Sequence, residues 1–162
     1  MILDALLMFD TLAGVAITVT RDSTNDLDMK NQRDMAVGDN VLDILVSIIT
    51  AFTAAGAATL TTEIKGAKDN AGVAGTYYTL ASSPAIAVAQ LTIGRTIMRM
   101  PLPYWSPEAS GDPLNVPRFY RLTYTVATGP MTAGSVAAFL IDHKGRQESH
   151  AYPSGIPVQT YA

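Results

Sequence analysis

Cysteine is absent from the 162 residues, which excludes disulfides, thiolate nucleophiles and cysteine-ligated zinc together. Histidine is nearly absent: His143 and His150 are the only two. Both sit in a polar C-terminal stretch, away from any Ser or Asp at a strand-to-helix elbow, so neither reads as a catalytic base. Charge is also scarce. Asp, Glu, Lys and Arg make up 15% of the chain, against roughly 25% in a typical soluble domain. The net charge is −3 and no basic run exists, which disfavours direct nucleic-acid binding. No apolar stretch approaches the roughly 18 residues of a membrane-spanning helix, so no membrane partner is expected. The opening MILDALLMFD carries Asp4 and has no basic lead, so it does not read as a secretory signal. Asn25, Asn31, Asn40, Asn70 and Asn115 all lack Ser or Thr two residues on, and glycosylated secretion gains no support.

What the chain does have is alternation. In Arg118–Val126, Tyr120, Leu122, Tyr124 and Val126 point one way and Phe119, Arg121, Thr123 and Thr125 the other. Period two with aromatic and β-branched residues marks a half-buried strand. A turn, Thr128–Gly134, separates it from a second strand, Ser135–Asp142, and the pattern is echoed in VSIITAFTAAGAATLTTEIK at Val46–Lys65. Two such hairpins suggest one β-sandwich built on a repeated plan. Further strands are expected at Val15–Thr20, Leu27–Met29, Val41–Phe52, Ala58–Lys65, Thr76–Leu80, Ile86–Val88 and Thr96–Met100, separated by turn clusters such as Gly66–Gly75. An all-β sandwich or barrel of eight or nine short strands follows. Leu3–Phe9 fits a short helix with Leu3, Leu6 and Leu7 on one face. Ser83 before Pro84 fits either a helix start or an edge strand.

Two strands are apolar on both faces, Val41–Phe52 and Ser135–Asp142. Such strands need cover outside as well as inside, from a loop of the same chain or from a neighbouring subunit. The low charge fits that second reading, or simply a surface rich in Thr and Ser. Five of the nine prolines and the only tryptophan fall in PLPYWSPEASGDPLNVP, Pro101–Pro117. A stiff loop bearing Tyr104 and Trp105 suits recognition, or a rigid cap with Trp105 in the core. The tail after Asp142 loses alternation. Its Tyr152, Ile156, Val158 and Tyr161 suit an arm that orders on binding, or a frayed end. The expected division is an N-terminal arm or short helix over 1–14, a sandwich over 15–142 and a polar arm over 143–162.

No reactive constellation emerges, and neither enzyme activity nor a cofactor is expected. Asp22, Asp26 and Asp28 lie close in sequence but lack the spacing of a calcium loop. Glycines 66, 72 and 75 lie between strands rather than before a helix, and so make no phosphate cradle. A carbohydrate-binding module is the alternative, with Tyr77, Tyr78, Tyr104 and Trp105 as stacking platforms.

The phrases MILDALLMF, TAFTAAGAATLTTEIKG and YRLTYTVATGPMTAGSVAAFLID together resemble the capsid cement, or decoration, proteins of tailed phages of the Bordetella-phage type. The similarity runs over roughly Met1–Asp142 and departs at 101–117 and in the tail. The resemblance implies a jelly-roll-like β-sandwich of about eight strands with extended N- and C-terminal arms. It implies a homotrimer made in the host cytoplasm that sits on the outer capsid surface of the virion and binds the major capsid protein. On that reading Ile2, Leu3, Leu6, Leu7, Tyr104, Trp105, Tyr152, Ile156 and Tyr161 are candidate capsid or subunit contacts.

Overall fold

A computed structural model describes residues 7–29, 42–103 and 117–142. The described chain is nearly all strand: β1 (Met8–Ala16), β2 (Arg21–Asp22), β3 (Leu27–Asp28), β4 (Leu42–Ala54), β5 (Thr59–Asn70), β6 (Val73–Ser82), β7 (Ile86–Ala87), β8 (Thr96–Pro101), β9 (Phe119–Ala127) and β10 (Met131–Asp142). They form two antiparallel sheets. Sheet A runs β1-β10-β4-β8; sheet B runs β2-β9-β5-β6, with β3 also on β9 and β7 also on β5. An all-β sandwich is thus what the chain builds.

The two expected hairpins are real strand pairs in sequence but not in space. β4 lies in sheet A and β5 in sheet B; β9 lies in sheet B and β10 in sheet A. Each turn therefore crosses from one sheet to the other, and each limb pairs with a limb of the echo: β4 with β10 and β5 with β9. The physical reason is the apolar faces. Ile44, Val46, Ile48 and Phe52 on β4 and Leu60 and Ile64 on β5 are all buried. In a flat hairpin those side chains would lie beside one another on one uncovered surface. Arching over the core sets them face to face, while pairing with the echo satisfies the backbone. The result is one antiparallel ribbon, β4–β5 against β9–β10, bent across both sheets.

Glycine explains two strand limits that differ from expectation. β5 continues through Gly66 to Asn70, and the turn shrinks to Ala71-Gly72, both at positive φ. That geometry suits a two-residue connection, and Asp69 accepts a 2.8 Å bond from the Gly72 N–H. Gly66 is needed for space rather than for turning: a Cβ there would lie 2.8 Å from Pro117 Cβ. β10 likewise starts at Met131 and passes through Gly134 (φ +134), whose missing side chain makes room for the Phe52 ring. Gly134 sits where the β10–β4 register shifts, so it marks a bulge inside the strand.

At the N-terminal end, Met8 and Phe9 are strand rather than helix, and β1 begins ahead of the expected sandwich boundary at residue 15. Met8 pairs with Phe139 and Asp10 with Ala138, after which the register shifts through a bulge before Val15 pairs with Val136. After β6, Ser83 stays extended into β7, and only Val88–Gln90 forms a short 3-10 turn. The edge-strand reading of that segment holds. The core fills the space between the sheets, with Phe9, Ile17, Leu91, Leu122, Tyr124 and Val136 among its fully buried members.

Candidate interaction surfaces

The outer face of sheet B carries the charge. Odd-numbered residues of β9 face outward, so Arg121 and Thr123 stand opposite Asp22 on β2 and Lys65 and Glu63 on β5. Arg121 reaches Asp22 at 2.9 Å and Asp26 at 2.8 Å. Its guanidinium lies 3.6 Å from the centroid of the Tyr77 ring. The Tyr77 hydroxyl donates to the same Asp26 oxygen at 2.7 Å. Loss of solvent and this carboxylate push the Tyr77 phenol up to about 12, against the opposing pull of Arg121. Next along the face, Arg118 grips both oxygens of Asp28, at 2.7 and 2.9 Å, and reaches Asp69 at 2.8 Å. Each of the three clustered aspartates, 22, 26 and 28, is therefore engaged by an arginine. Among the described residues no group of three or more His, Cys, Asp or Glu is arranged to hold a metal ion.

An open recess of about 730 Å3 lies beside this network, between the β2–β3 turn and Arg121. Among its lining residues, Ser23 donates its hydroxyl to the Asn25 carbonyl and Arg121 reaches Asp22 and Asp26. Behind it, inside the molecule, is a second polar cluster. Asp10 is fully buried and accepts bonds from the Tyr124 hydroxyl at 2.7 Å, the Thr24 N–H at 2.9 Å and the Thr24 hydroxyl at 2.8 Å. Arg21 stands 3.5 Å away. Burial, and then the Asp10 charge, hold the Tyr124 phenol well above its ordinary range. This cluster joins β1 to β9 and is structural.

Sheet A presents the opposite character. Leu45 pairs with Phe139 on its outer face, flanked by Ile49, Ala137 and Ile141, and none of these belongs to the core cluster between the sheets. The one ion pair of this face among the described residues is Arg99–Asp43 at 3.1 Å. Part of the cover expected for these doubly apolar strands comes from the chain itself. The bulge of β1 brings Gly14 (φ +84) so close that a Cβ would meet Ser135 and Ile49.

Of the expected contact residues, only Leu7 is described, and it packs against the core rather than projecting from an arm. Ile2, Leu3, Leu6, Tyr104, Trp105, Tyr152, Ile156 and Tyr161 lie outside the described residues. So do His143 and His150. The tyrosines of the carbohydrate reading part company. Tyr77 stands outward with one ring face covered by Arg121. Tyr78 pairs with Gly66 on the inner side of β6, and its hydroxyl is buried without a partner among the described residues. The Arg121–Tyr77 contact was not visible in sequence, because only strand register brings the two positions together.

Residues 12–140 match the Bbp16 family. The chain belongs to the Bbp16 family. This fits the Bordetella-phage type of protein to which the strand phrases are similar. The Bbp16 match starts within β1, ends within β10, and takes in strands of both sheets. No match appears among curated proteins. The match therefore spans both sheets of this chain rather than one local motif.

Proposed function

We propose that this Bbp16-family protein is a non-enzymatic virion structural protein. On this reading it is a homotrimeric decoration subunit that binds the major capsid protein on the outside of an icosahedral phage head and stabilises contacts between capsomers. The observation that carries the reading is the family match across both sheets, from residue 12 to residue 140, in a phage-type family. The surfaces support it. Arg118 and Arg121 on sheet B are paired with aspartates within the chain, and sheet A turns Leu45, Ile49 and Ile141, each half-buried, outward, as an association face requires. A closed three-fold assembly suits a site among capsomers, and three weak contacts made at once hold far better than one. Ile2, Leu3, Leu6, Tyr104, Trp105, Tyr152, Ile156 and Tyr161 are the proposed contacts outside the described residues.

The test is addition of purified protein to heads prepared without it, followed by co-sedimentation and electron cryomicroscopy. Expected are saturable binding, density over local three-fold positions, and heads that resist heating better. A folded, trimeric protein that leaves heads bare overturns the reading. The carbohydrate alternative draws no support from Tyr77 and Tyr78, which face opposite ways and do not form a common platform.

A further inference from the structure

Strand register gives the sandwich two unlike poles. The β4–β5 and β9–β10 connections cross between the sheets, so Ala54 and Met131 of sheet A lie at the same pole as Thr59 and Ala127 of sheet B. The β1–β2 turn joins them at this crossover pole. There the Met131 N–H donates to the Thr18 carbonyl at 2.9 Å and the Ile17 N–H to the Gly134 carbonyl at 3.0 Å. At the opposite pole Leu42 stands beside Asp142, Asp43 beside Pro101, and Asp28 and Ala67 beside Phe119. The Ala71-Gly72 turn lies just beyond them.

All the chain outside the described residues joins the sandwich towards this second, exit pole. Residues 1–6 lead into β1, where Met8 pairs with Phe139, and residues 143–162 follow Asp142. Residues 30–41 lie between β3 and the start of β4, and residues 104–116 between the end of β8 and the start of β9. The points of departure are fixed. The Leu102 N–H donates to the Leu42 carbonyl at 2.7 Å and the Met29 N–H to the Arg118 carbonyl at 2.8 Å. Arg118 clasps Asp28 and Asp69, across the ends of β3 and β5.

The crossover pole differs in chemistry as well. No Asp, Glu, Lys or Arg occurs between Asp10 and Arg21, between Asp43 and Glu63, or between Arg121 and Asp142. Those runs contain all three of its turns, whose exposed residues include Val19, Ala55, Gly56, Gly129 and Pro130. Polar groups nearby are matched within the chain: the Thr20 hydroxyl bonds both backbone groups of Val126, and the Thr53 and Thr132 hydroxyls meet at 2.8 Å. Such a surface offers a partner no aromatic or arginine anchor.

We infer that the protein stands on the phage head on its exit pole. The coat protein then meets the surface formed by Lys68, the Asn70–Val73 turn and Pro101, and the three uncharged turns face away from the shell. This depends on the decoration reading and adds to it the side of the molecule that the coat meets. Segments leaving one pole reach one surface together, so that their contacts reinforce one another through effective concentration. Departures from both poles would aim some of them away from the shell. Exits already held by hydrogen bonds and ion pairs lower the ordering cost of binding. Charge confined to one pole also favours one orientation on approach.

The test uses the full chain, which has no cysteine, with single thiols capped by polyethylene glycol maleimide. K68C and N70C mark the exit pole, V19C and A55C the crossover pole, and all four positions are exposed. On heads prepared without the protein, the cap on K68C or N70C is expected to weaken co-sedimentation by about tenfold or more. The cap on V19C or A55C should leave it within about twofold of the uncapped protein. In electron cryomicroscopy density of decorated heads, Gly72 should lie nearer the shell than Gly56. Gly56 nearer the shell, or caps at the crossover pole that block binding as strongly as those at the exit pole, overturns the inference. Should a capped variant fail to fold, the density decides alone. Unmodified protein that leaves heads bare removes the decoration reading and this inference together, whereas unmodified protein bound with its poles reversed removes this inference alone.

Discussion

The Tyr124 hydroxyl donates a 2.7 Å hydrogen bond to Asp10, so β9 of one sheet is tied through the core to β1 of the other. Asp10 is fully buried and draws three hydrogen bonds in all, from Tyr124 and from the Thr24 N–H and hydroxyl. Removing one donor leaves a buried carboxylate short of a partner. Y124F is expected to cost about 1–3 kcal/mol. D10A strips Arg21, Thr24 and Tyr124 of their common acceptor, and is expected to cost about 3–5 kcal/mol, as for other broken buried ion pairs. Urea denaturation of both variants and of the double variant checks this. The double variant should lose less than the sum of the two, since the second change removes a group the first has already stranded.

Gly134 and Phe52 make a second such dependency. The glycine sits at φ +134, and the phenyl ring occupies the space a side chain would need. G134A must strain the backbone and displace the ring together, an expected loss of about 2–4 kcal/mol from the two effects. F52L should reduce the incremental cost of G134A by making room, though it loses packing of its own. Thermal melts of the wild type, the two single variants and the double variant decide it. A G134A penalty equally large with and without F52L would refute the contact as the cause.

Much of the fold was legible because alternation survives wherever one strand face meets the core. In β9, Tyr120, Leu122 and Tyr124 are buried as period two requires. What alternation does not carry is the identity of the paired strand. The limbs of β4–β5 look the same in sequence whether they fold flat or arch between sheets; only the need to cover Ile44–Phe52 decides it. Gly66 and Gly134 read as turn signals, yet both lie within strands where a neighbouring side chain takes the space. The start of β1 was hidden because it pairs with β10, far along the chain, and because the buried Asp10 that breaks its apolar pattern is satisfied by Tyr124, 114 positions away. The aspartates at 22, 26 and 28 were visible as a cluster, but their arginines lie on β9 and at its start, brought close by register alone.

Alkaline pH should loosen the molecule. Burial raises the phenols of Tyr120 and Tyr124, and Tyr77 is pushed up to about 12 by lost solvent and Asp26. An unfolded tyrosine ionises near 10, so the folded state holds these protons more tightly than the unfolded one. Their stabilising contribution is complete below about pH 10 and is lost as pH rises from there through the folded values. The denaturation midpoint is therefore expected to hold up to about pH 9 and fall steeply above about pH 10.5. Y77F should soften only the part due to that residue. Phenolate absorbance recorded alongside should show Tyr120 and Tyr124 ionising with unfolding rather than before it.

Thr62 offers a change in the opposite direction. Its side chain points into the core from β5, is 1% exposed, and its hydroxyl makes no hydrogen bond among the described residues. The backbone at this position is fully used, since the N–H donates to the Ser83 hydroxyl and the carbonyl accepts from the Ser83 N–H. Substituting valine keeps the shape and the β-branched backbone preference while deleting an unpaired polar group. T62V is expected to stabilise the protein by about 1–2 kcal/mol, which for a chain of this size raises Tm by roughly 2–8 °C. T62S, which keeps the hydroxyl and opens a methyl-sized gap, should destabilise it. If T62V melted at or below the wild-type temperature, the hydroxyl would have to be satisfied in solution, and the inner face of β5 would be wetter than its neighbours Leu60 and Ile64 imply.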